Sequence, residues 1–383
     1  MKLQTTPSEI KGLNKLLPLV NDMNSVVEEL CIGIIAAKDG IYAQVVNSNS
    51  HNVKVKLKGS NLEEGSILVQ SNYVSELTKK LPNEGELYIV GDSDVLTFDL
   101  LSLGKIQKPV FSHSENELPF KNSPLSKEVD WNCIISPNND IPSTLNNIVS
   151  FSSKDSIIYI NKDRANIKFM AKDHLGNSVI RCSLVTEEDL DTSIELVIKR
   201  YIADFIKSSK SFSLYNCEYS DIYRIDTEEI SFIFRSVPNT GSFFMVNESL
   251  MELEPICEIQ IPYERLLAAS EWQSTGLSPI DTLGISISEG DLKIKGKTST
   301  EAASIQMLSL LGEWQNIDVN NCFFIKLLSS LKLNNHNLSI KLVTTDPKDE
   351  ETNLYNSVWL VIEPSISFNG KPTGLFCPSV FLS

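Results

Sequence analysis

The chain has 383 residues, of which 42% are hydrophobic, and it carries a formal net charge of −15 at pH 7. This length is too great for one ordinary domain, and the apolar content is sufficient for several cores, so two or three domains are expected. An acidic balance of this size argues against a protein whose whole surface binds nucleic acid, because phosphate neutralisation needs basic side chains.

Cysteine and histidine usage indicates neither a disulfide framework nor a metal site. The seven cysteines are an odd number without a C-x-x-C motif, which is typical of free thiols in a reducing compartment. The four histidines lack metal-ligand spacing, so neither a metal nor a cofactor is expected. Residues 1–7 lack a signal-peptide core and no apolar run reaches membrane-spanning length, which predicts a cytoplasmic protein without membrane contact.

Taken in chain order, the hydrophobic periodicity predicts one recurring set of elements. A helix leads into a β-hairpin, and then a strand leads into a second helix that two further strands follow. The first copy is predicted at residues 10–17, 31–37, 41–47, 66–69, 72–81, 86–90 and 95–100. The second is predicted at residues 141–151, 157–160, 167–171, 194–198, 199–210, 211–219 and 230–235. The third is predicted at residues 263–270, 283–287, 292–294, 321–332, 337–343 and 357–362.

The spacing of these copies indicates three similar domains. The second helix of each copy begins at residue 72, 199 or 321, so the intervals are 127 and 122 residues. Stretches 112–124 and 238–255 are the candidate boundaries. We therefore predict an α+β protein with domains 1–124, 125–252 and 253–383, each with two helices packed on antiparallel sheets. The alternative is an α+β chain in which the similar spacing is accidental.

One short motif is similar to part of the phosphate-binding loop of nucleotide-hydrolysing enzymes. Gly296-Lys297-Thr298 matches the end of a phosphate-binding P-loop, Gly-x-x-x-x-Gly-Lys-Ser/Thr. The register requires glycine at position 291, where Asp291 stands, and an aspartate would repel phosphate. Apolar residues alternate on both sides of a break at Glu289-Gly290, which favours a β-hairpin.

Other patterns that would indicate catalysis are also weak. No serine lies between the glycines of a nucleophile elbow. Asp346 and the acidic run 349–351 are typical of a solvated loop rather than of a catalytic carboxylate pair. We therefore expect a protein that is not an enzyme and has no catalytic residues.

The negative charge is not evenly distributed over the predicted elements. Over the predicted helical spans the net charge is +7, which leaves −22 for the rest of the chain. The basic residues of those spans are Lys11, Lys15, Lys79, Lys80, Lys199, Arg200, Lys207, Lys210, Arg265, Lys326 and Lys332. Basic helices on an otherwise acidic protein could hold a polyanion against one face. The alternative is that lysine simply favours exposed helix faces, and the helix at 141–151 carries no basic residue.

Four stretches of the chain carry a resemblance to a known family. They are EEGSILVQSNYVSELTKKLPNEGELYIVGD (63–92), PYERLLAASEWQS with ISEGDLKIKGKTS, FFIKLLSSLKLNNHNLSIKLVTTD, and the C-terminal LFCPSVFLS. Together with the threefold repeat, they resemble the bacterial sliding clamp, the β subunit of the replicative DNA polymerase. The resemblance is strongest over residues 1–120 and 255–383. The middle domain departs most, since Lys172-Asp173-His174-Leu175-Gly176 changes the family spacing, so a divergent or viral member is expected.

The resemblance implies a fold, a function and a set of partners. Clamp-type domains would assemble into a ring through a head-to-tail homodimer, with two helices of each domain on the inner wall. The ring would act as a processivity factor that encircles double-stranded DNA without reading its sequence. A DNA polymerase and a clamp loader would bind through a short peptide motif, and other replication or repair proteins would use the same site.

The same resemblance implies roles for individual residues. DNA-contacting positions are Lys11, Lys15, Lys79, Lys80, Lys199, Arg200, Lys207, Lys210, Lys326 and Lys332. A partner-binding groove between domains two and three is implied at His174, Leu175, Trp359, Cys377, Pro378, Ser379, Val380, Phe381 and Leu382. Subunit-interface positions are Phe98, Leu100 and Trp272, each of which could equally belong to the core of its own domain.

Two other functions stay open at this point. The first is a non-enzymatic structural or interaction protein, such as a virion component, that uses a clamp-like fold without encircling DNA. The second is a clamp-fold relative that has lost loading or partner binding.

Overall fold

The structure is a computed structural model that describes residues 1–15, 31–46, 52–92, 94–110, 130–152, 156–172, 179–186, 193–217, 222–236, 250–331, 333, 336–344, 358–365 and 372–381. The chain divides into two compact units. Unit 1 comprises Met1–Asn138 and Ser209–Ser236, and unit 2 comprises Asn139–Ser208 and Val237–Ser383. None of the helices in the described ranges is both long and apolar enough to cross a membrane.

Helices and strands recur three times in one order, which defines repeats 1, 2 and 3. Repeat 1 consists of β1 Lys2–Thr5, α1 Pro7–Gly12 with a 3₁₀ turn at Leu13–Lys15, β2 Cys31–Ala37, β3 Gly40–Val46, β4 Asn52–Leu57, β5 Gly59–Glu63, β6 Gly65–Gln70, α2 Ser71–Lys80, β7 Leu87–Gly91, β8 Val95–Leu100 and β9 Gly104–Pro109. Repeat 2 consists of β10 Trp131–Asn138, α3 Asp140–Phe151, β11 Ile157–Asp163, β12 Asn166–Lys172, β13 Val179–Val185, β14 Ser193–Lys199, α4 Arg200–Ile206, β15 Phe212–Cys217, β16 Ile222–Asp226 and β17 Ile230–Arg235. Repeat 3 consists of β18 Cys257–Pro262, α5 Tyr263–Gln273, β19 Thr282–Ser288, β20 Asp291–Gly296, β21 Ala303–Gln306, β22 Ser309–Gly312, β23 Ile317–Asn320, α6 Asn321–Leu331, β24 Asn337–Thr344, β25 Val358–Pro364 and β26 Pro372–Phe381.

Equivalent strands pair in the same antiparallel way in every repeat. The first strand pairs with the strand that follows the second helix, and the last three strands form a meander: β1-β7-β8-β9, β10-β15-β16-β17 and β18-β24-β25-β26. The other half is a sheet around the first hairpin: β6-β2-β3-β4, β14-β11-β12-β13 and β23-β19-β20-β21. This pattern of helices on antiparallel sheets confirms the predicted α+β class.

Consecutive repeats are joined by strand pairing rather than by side chains alone. In unit 1, β17 pairs with β4, which makes one eight-stranded sheet in the order β10-β15-β16-β17-β4-β3-β2-β6. A five-stranded sheet in the same unit has the order β5-β1-β7-β8-β9. In unit 2, β26 pairs with β13, β23 and β25, so the strands of that unit belong to one thirteen-stranded sheet.

The helices are amphipathic and bury their apolar stripe against these sheets. On α6, Phe324, Leu327, Leu328 and Leu331 repeat at helical spacing and are fully buried. The neighbouring helix α5 is tied to α6 because the Tyr263 hydroxyl donates a hydrogen bond to the Leu328 carbonyl, at 3.1 Å. Most of the stability of such short helices comes from this burial rather than from intrinsic helix propensity.

The Gly-Lys-Thr stretch is the end of a hairpin strand, as its alternation predicted. Strands β19 and β20 pair from Leu283–Gly296 to Ser288–Asp291, and Glu289 and Gly290 form the turn with positive φ angles of 56° and 80°. Gly296 closes β20 against the end of α5, where its N–H donates to the Gln273 side chain at 3.0 Å. A Cβ at position 296 would lie 2.0 Å from the Gln273 carbonyl oxygen, so the glycine is required for this close approach.

Several predicted boundaries were wrong, and the errors have physical causes. The helix predicted at 199–210 begins at Arg200 and ends at Ile206, because the serine-rich residues after it leave the helix in a turn. The meander of repeat 1 has a third strand, β9, which the sequence analysis missed because its exposed residues do not alternate in hydrophobicity. Strand β16 was missed for the same kind of reason, since its pattern is mixed polar and aromatic. The three-domain boundaries stay a prediction.

We predict that Gly296→Ala will lower the free energy of unfolding by about 1–3 kcal/mol, the usual range for forcing an atom into a packed site. Gly12→Ala is the matched control, since an added Cβ at that position meets no atom within 4 Å. The measurement is the urea midpoint of each variant by circular dichroism. Equal midpoints for the two variants would contradict the close approach.

Candidate nucleic-acid interface and partner groove

In unit 1, the predicted phosphate contacts lie on the two helices of repeat 1. Lys79 and Lys80 are exposed in the last turn of α2, where the helix dipole favours cations. Lys11 on α1 donates a hydrogen bond from its Nζ to the Asn83 side chain at 2.7 Å. Lys15 ends the 3₁₀ turn after α1, and only its backbone is described. The helices of this repeat therefore expose at least two lysines.

In unit 2, an acidic residue reduces the free positive charge of α4. The Asp204 carboxylate lies 2.6 Å from Lys207 Nζ and 3.4 Å from Arg200 Nε, so it pairs with two of the predicted contacts. Lys199 precedes the helix and is half-buried, while Lys210 follows it and is exposed. Asp204 lies four residues after Arg200 and three residues before Lys207, and this spacing is the known signal for ion pairs on a helix. The sequence analysis missed that these pairs reduce the positive charge of α4.

Helices α3 and α6 contribute little free charge to the same candidate interface. The exposed residues of α3 are polar and uncharged apart from Asp140 at its start: Ser143, Asn146 and Ser150. On α6, the Lys326 ammonium lies 5.3 Å from the ring centre of Phe151 on α3, which is a cation–π contact. Lys332 lies outside the described residues. The described helices of unit 2 therefore present a mostly neutral, polar surface, and the exposed Lys210 belongs to unit 1.

One residue of the predicted partner groove, Trp359, lies in a buried apolar cluster of unit 2. Trp359 on β25 is only 6% exposed and packs with Val179, Val343, Val361 and Leu250. These positions come from β13, β24, β25 and the segment before β18, so only the folded chain brings them together. Apart from Trp359, the sequence analysis missed them. Their alternation within strands was the available signal, but it does not distinguish a groove from a core.

The C-terminal residues of the predicted groove form part of a strand. The backbone of β26 places Cys377, Pro378 and Ser379 opposite Leu360, Trp359 and Val358 on β25, respectively. It then pairs Ser379, Val380 and Phe381 with β23. His174, Leu175 and Leu382 lie outside the described residues. The register thus places Trp359 directly across from Pro378, which brings together two of the predicted groove residues.

The predicted subunit-interface residues differ in their surroundings. Phe98 and Leu100 are buried within unit 1, at 4% and 5% exposure. Both lie on β8, which is paired with β7 on one side and with β9 on the other. Trp272 on α5 is 75% exposed. An interface role for these three residues stays a prediction.

Two strand edges carry exposed apolar side chains that the sequence analysis did not single out. Within the described ranges, the outer edges of β9 and β21 have no strand partner. Leu101, Leu103 and Ile106 lie on β9 or in the turn before it, and Leu308, Leu310 and Leu311 lie on or just before β22, which follows β21 in the chain and pairs with β18; all six are exposed. Unpaired edges flanked by apolar side chains are typical sites of association between chains.

Comparison with solved structures decides what this repeat architecture is. The DNA polymerase sliding clamp of Bacillus subtilis is 15% identical, with a TM-score of 0.74 over 100% of both chains. The β subunit of the Streptococcus pyogenes DNA polymerase is 12% identical, with a TM-score of 0.73 over 100% of both chains. The chain has the sliding-clamp fold. A sliding clamp from Pseudomonas aeruginosa bound to griselimycin matches at 13% identity and a TM-score of 0.73, again over 100% of both chains.

The chain resembles these proteins in structure much more than in amino-acid sequence. No family model and no curated protein matches the chain. No group of His, Cys, Asp or Glu side chains in the described part of the chain has the arrangement of a metal site.

We predict that Asp204→Asn will strengthen binding to duplex DNA by about three- to tenfold at low salt, because it releases Arg200 and Lys207 to meet phosphates. The slope of log affinity against log salt should steepen by up to about two, since about 0.9 counterions are released per phosphate contact. Fluorescence anisotropy with a labelled duplex measures both.

Glu229→Gln is the matched control for this change. Glu229 pairs with Lys58 at 3.2 Å in unit 1, so this substitution removes one negative charge at a position outside α4. Glu229 accepts a hydrogen bond from Lys58, which raises the pKa of that lysine. Equal gains for the two variants would mean that only net charge matters and that α4 does not contact DNA.

Proposed function

We propose that this chain is the subunit of a sliding clamp, a ring that encircles duplex DNA and keeps a DNA polymerase on its template. In this role it is not an enzyme: it acts by topology, because a closed ring cannot leave DNA sideways and a tethered partner stays at high local concentration. The observation that carries the proposal is the way in which strand pairing joins the repeats.

Two strand pairings join consecutive repeats within the chain, and we call each such pairing a joint. A third joint of the same kind would need a second copy of the chain. The last strand of repeat 2, β17, pairs antiparallel with the fourth strand of repeat 1, β4. The last strand of repeat 3, β26, pairs antiparallel with the fourth strand of repeat 2, β13. By the same rule, the last strand of repeat 1, β9, should pair with the fourth strand of repeat 3, β21. We propose that this pairing forms between two copies of the chain, head to tail.

The side chains near these edges support the same joint. Leu101, Leu103 and Ile106 would meet Trp272 and the exposed leucines of 308–311. Burial of apolar surface contributes about 25 cal/mol per Å², so a few such side chains add several kcal/mol to the main-chain hydrogen bonds. A heterologous contact must close into a ring or else continue as a filament, and a closed dimer satisfies both edges.

The charge pattern supports loose contact with DNA. Exposed lysines such as Lys79, Lys80 and Lys210 would touch phosphates, whereas Asp204 withholds two further cations from them. Contacts of this kind are sequence-independent and salt-sensitive. A clamp that slides needs weak contacts, and the net charge of −15 would repel DNA from surfaces other than the helices.

The cluster around Trp359 is the proposed partner site. An apolar cluster beside a strand of the C-terminal segment suits a short peptide that inserts one or two hydrophobic anchors. A DNA polymerase and a clamp loader would compete for it. The clamp itself contributes no catalytic chemistry, because it only tethers its partner proteins to DNA.

Retention on plasmid DNA tests the proposal directly. The protein, at high concentration or after loading by its cognate loader, is incubated with nicked circular plasmid and with the same plasmid linearised, and each is passed over a gel-filtration column. We expect co-elution with the circle and loss from the free ends of the linear form. Equal loss from both would support instead a structural or interaction protein that uses the clamp fold without encircling DNA.

A substitution in β9, the edge strand of repeat 1, tests ring closure separately. We predict that Ile106→Asp will convert the dimer into a species with the mass of one 42.7 kDa chain, because a charge would be buried in the joint. Ile280→Asp is the matched control, since Ile280 is fully exposed in a loop before β19. Sedimentation velocity measures the mass. A dimer that survives Ile106→Asp at micromolar concentration would show that β9 is not at the joint.

A further inference from the structure

The Lys11 side chain on α1 is anchored by a residue that follows the other helix of its repeat. Its Nζ donates a hydrogen bond of 2.7 Å to the side-chain oxygen of Asn83, which lies 72 residues further along the chain. Asn83 comes shortly after the C-terminal end of α2 and is exposed. The contact therefore places an ammonium group of α1 beside the end of α2.

Other hydrogen bonds fix the two helices that carry this contact. The Asn14 side chain, three residues after Lys11, accepts a hydrogen bond from the Ser75 hydroxyl at 3.1 Å and donates one to the Thr78 hydroxyl. The Thr78 hydroxyl in turn donates to the Ser75 carbonyl at 2.9 Å. Because Ser75 and Thr78 belong to α2, these bonds tie the start of the repeat to that helix. Lys11 and Asn83 therefore meet on a backbone that is already ordered.

Two further cations belong to the same end of α2. Lys79 and Lys80 are exposed in its last turn, where the unpaired carbonyl groups of a helix favour positive charge. Among the described residues, neither they nor Lys11 form an ion pair with a carboxylate. This end of the helix therefore collects three ammonium groups that keep their charge.

The chemistry of the anchor decides how much of the lysine charge is left for a ligand. A side-chain amide accepts a hydrogen bond from an ammonium group without carrying a net charge of its own. A carboxylate accepts the same bond but cancels the charge, as the Asp204 carboxylate does 2.6 Å from Lys207 Nζ in unit 2. Asn83 thus orders the Lys11 side chain and leaves its charge intact. Ordering before a ligand arrives lowers the entropy cost of binding.

We propose that Asn83 is a positioning residue that presents the charged Lys11 side chain to a phosphate of duplex DNA. The inference rests on the proposed function and adds an uncharged residue, outside the basic set, that determines how one member of that set acts. An ammonium group has three N–H donors, and Asn83 takes one of them. The other two are left for phosphate oxygens.

Substitutions at Asn83 separate the position of the lysine from its charge. Binding of the full-length chain to a short labelled duplex is measured by fluorescence anisotropy over a range of salt concentrations. We expect Asn83→Asp to weaken binding about fivefold at low salt and to reduce the slope of log affinity against log salt by about 0.9, because a carboxylate would neutralise Lys11. Asn83→Ala loses the anchor but keeps the charge, so binding should weaken about twofold with an unchanged slope. Asn83→Gln keeps an amide acceptor and should bind like the unmodified protein.

Two controls isolate the contact between Asn83 and Lys11. Asn132→Asp adds the same negative charge at an exposed position on β10 of the same unit, and it should change the affinity much less than Asn83→Asp. Lys11→Met removes the ammonium group, and in this background Asn83→Ala should have no effect and Asn83→Asp no more effect than Asn132→Asp. Thermal melting of each variant separates these results from loss of the fold.

Three results would overturn the inference. They are equal effects of Asn83→Asp and Asn132→Asp, full affinity in Asn83→Ala, and unchanged losses in the Lys11→Met background. The plasmid test does not depend on Asn83, so encirclement together with any of these results rejects the positioning role alone. Coupling between Asn83 and Lys11 without retention on the circle supports the phosphate contact and rejects the ring. An unmodified protein that does not bind the duplex at low salt rejects both.

Discussion

Strand pairing between consecutive repeats is the interaction on which this structure depends. An unpaired row of N–H and C=O groups is a site of association, so each repeat covers an edge of its neighbour. Strand β17 covers β4, and β26 covers β13. The outer edges of β9 and β21 are unpaired in the described residues, and exposed leucines lie next to β9 and on the strand that follows β21, β22. The proposed ring follows because a second copy can satisfy both edges at once.

The electrostatic pattern is a balance between attraction to DNA and freedom to move along it. Exposed lysines of α2 and Lys210 offer positive charge, while Asp204 holds Arg200 and Lys207 in ion pairs on α4. Exposed ion pairs contribute little to stability, so the effect of Asp204 on the potential of this surface matters more than its effect on the fold.

Much of the fold could be predicted because its local signals agree with one another. The second helix of each repeat begins within one residue of positions 72, 199 and 321, and the hairpin around Glu289 and Gly290 forms as the alternation indicated. Strands β9 and β16 escaped prediction because their periodicity is irregular. Their conformation depends on pairing with neighbours rather than on their own residue pattern.

By itself, the sequence determined the α+β class, the threefold repeat, the basic character of the helices and the failure of the P-loop motif at Asp291. These properties follow from local periodicity and from residue identity, which need no knowledge of distant parts of the chain. Only the tertiary structure decided that Trp359 packs with Leu250, Val179 and Val343, and that the outer edges of β9 and β21 are left unpaired in the described residues. Those facts depend on contacts between residues far apart in the chain or on the register of strands, and a one-residue change of register moves a side chain to the opposite face.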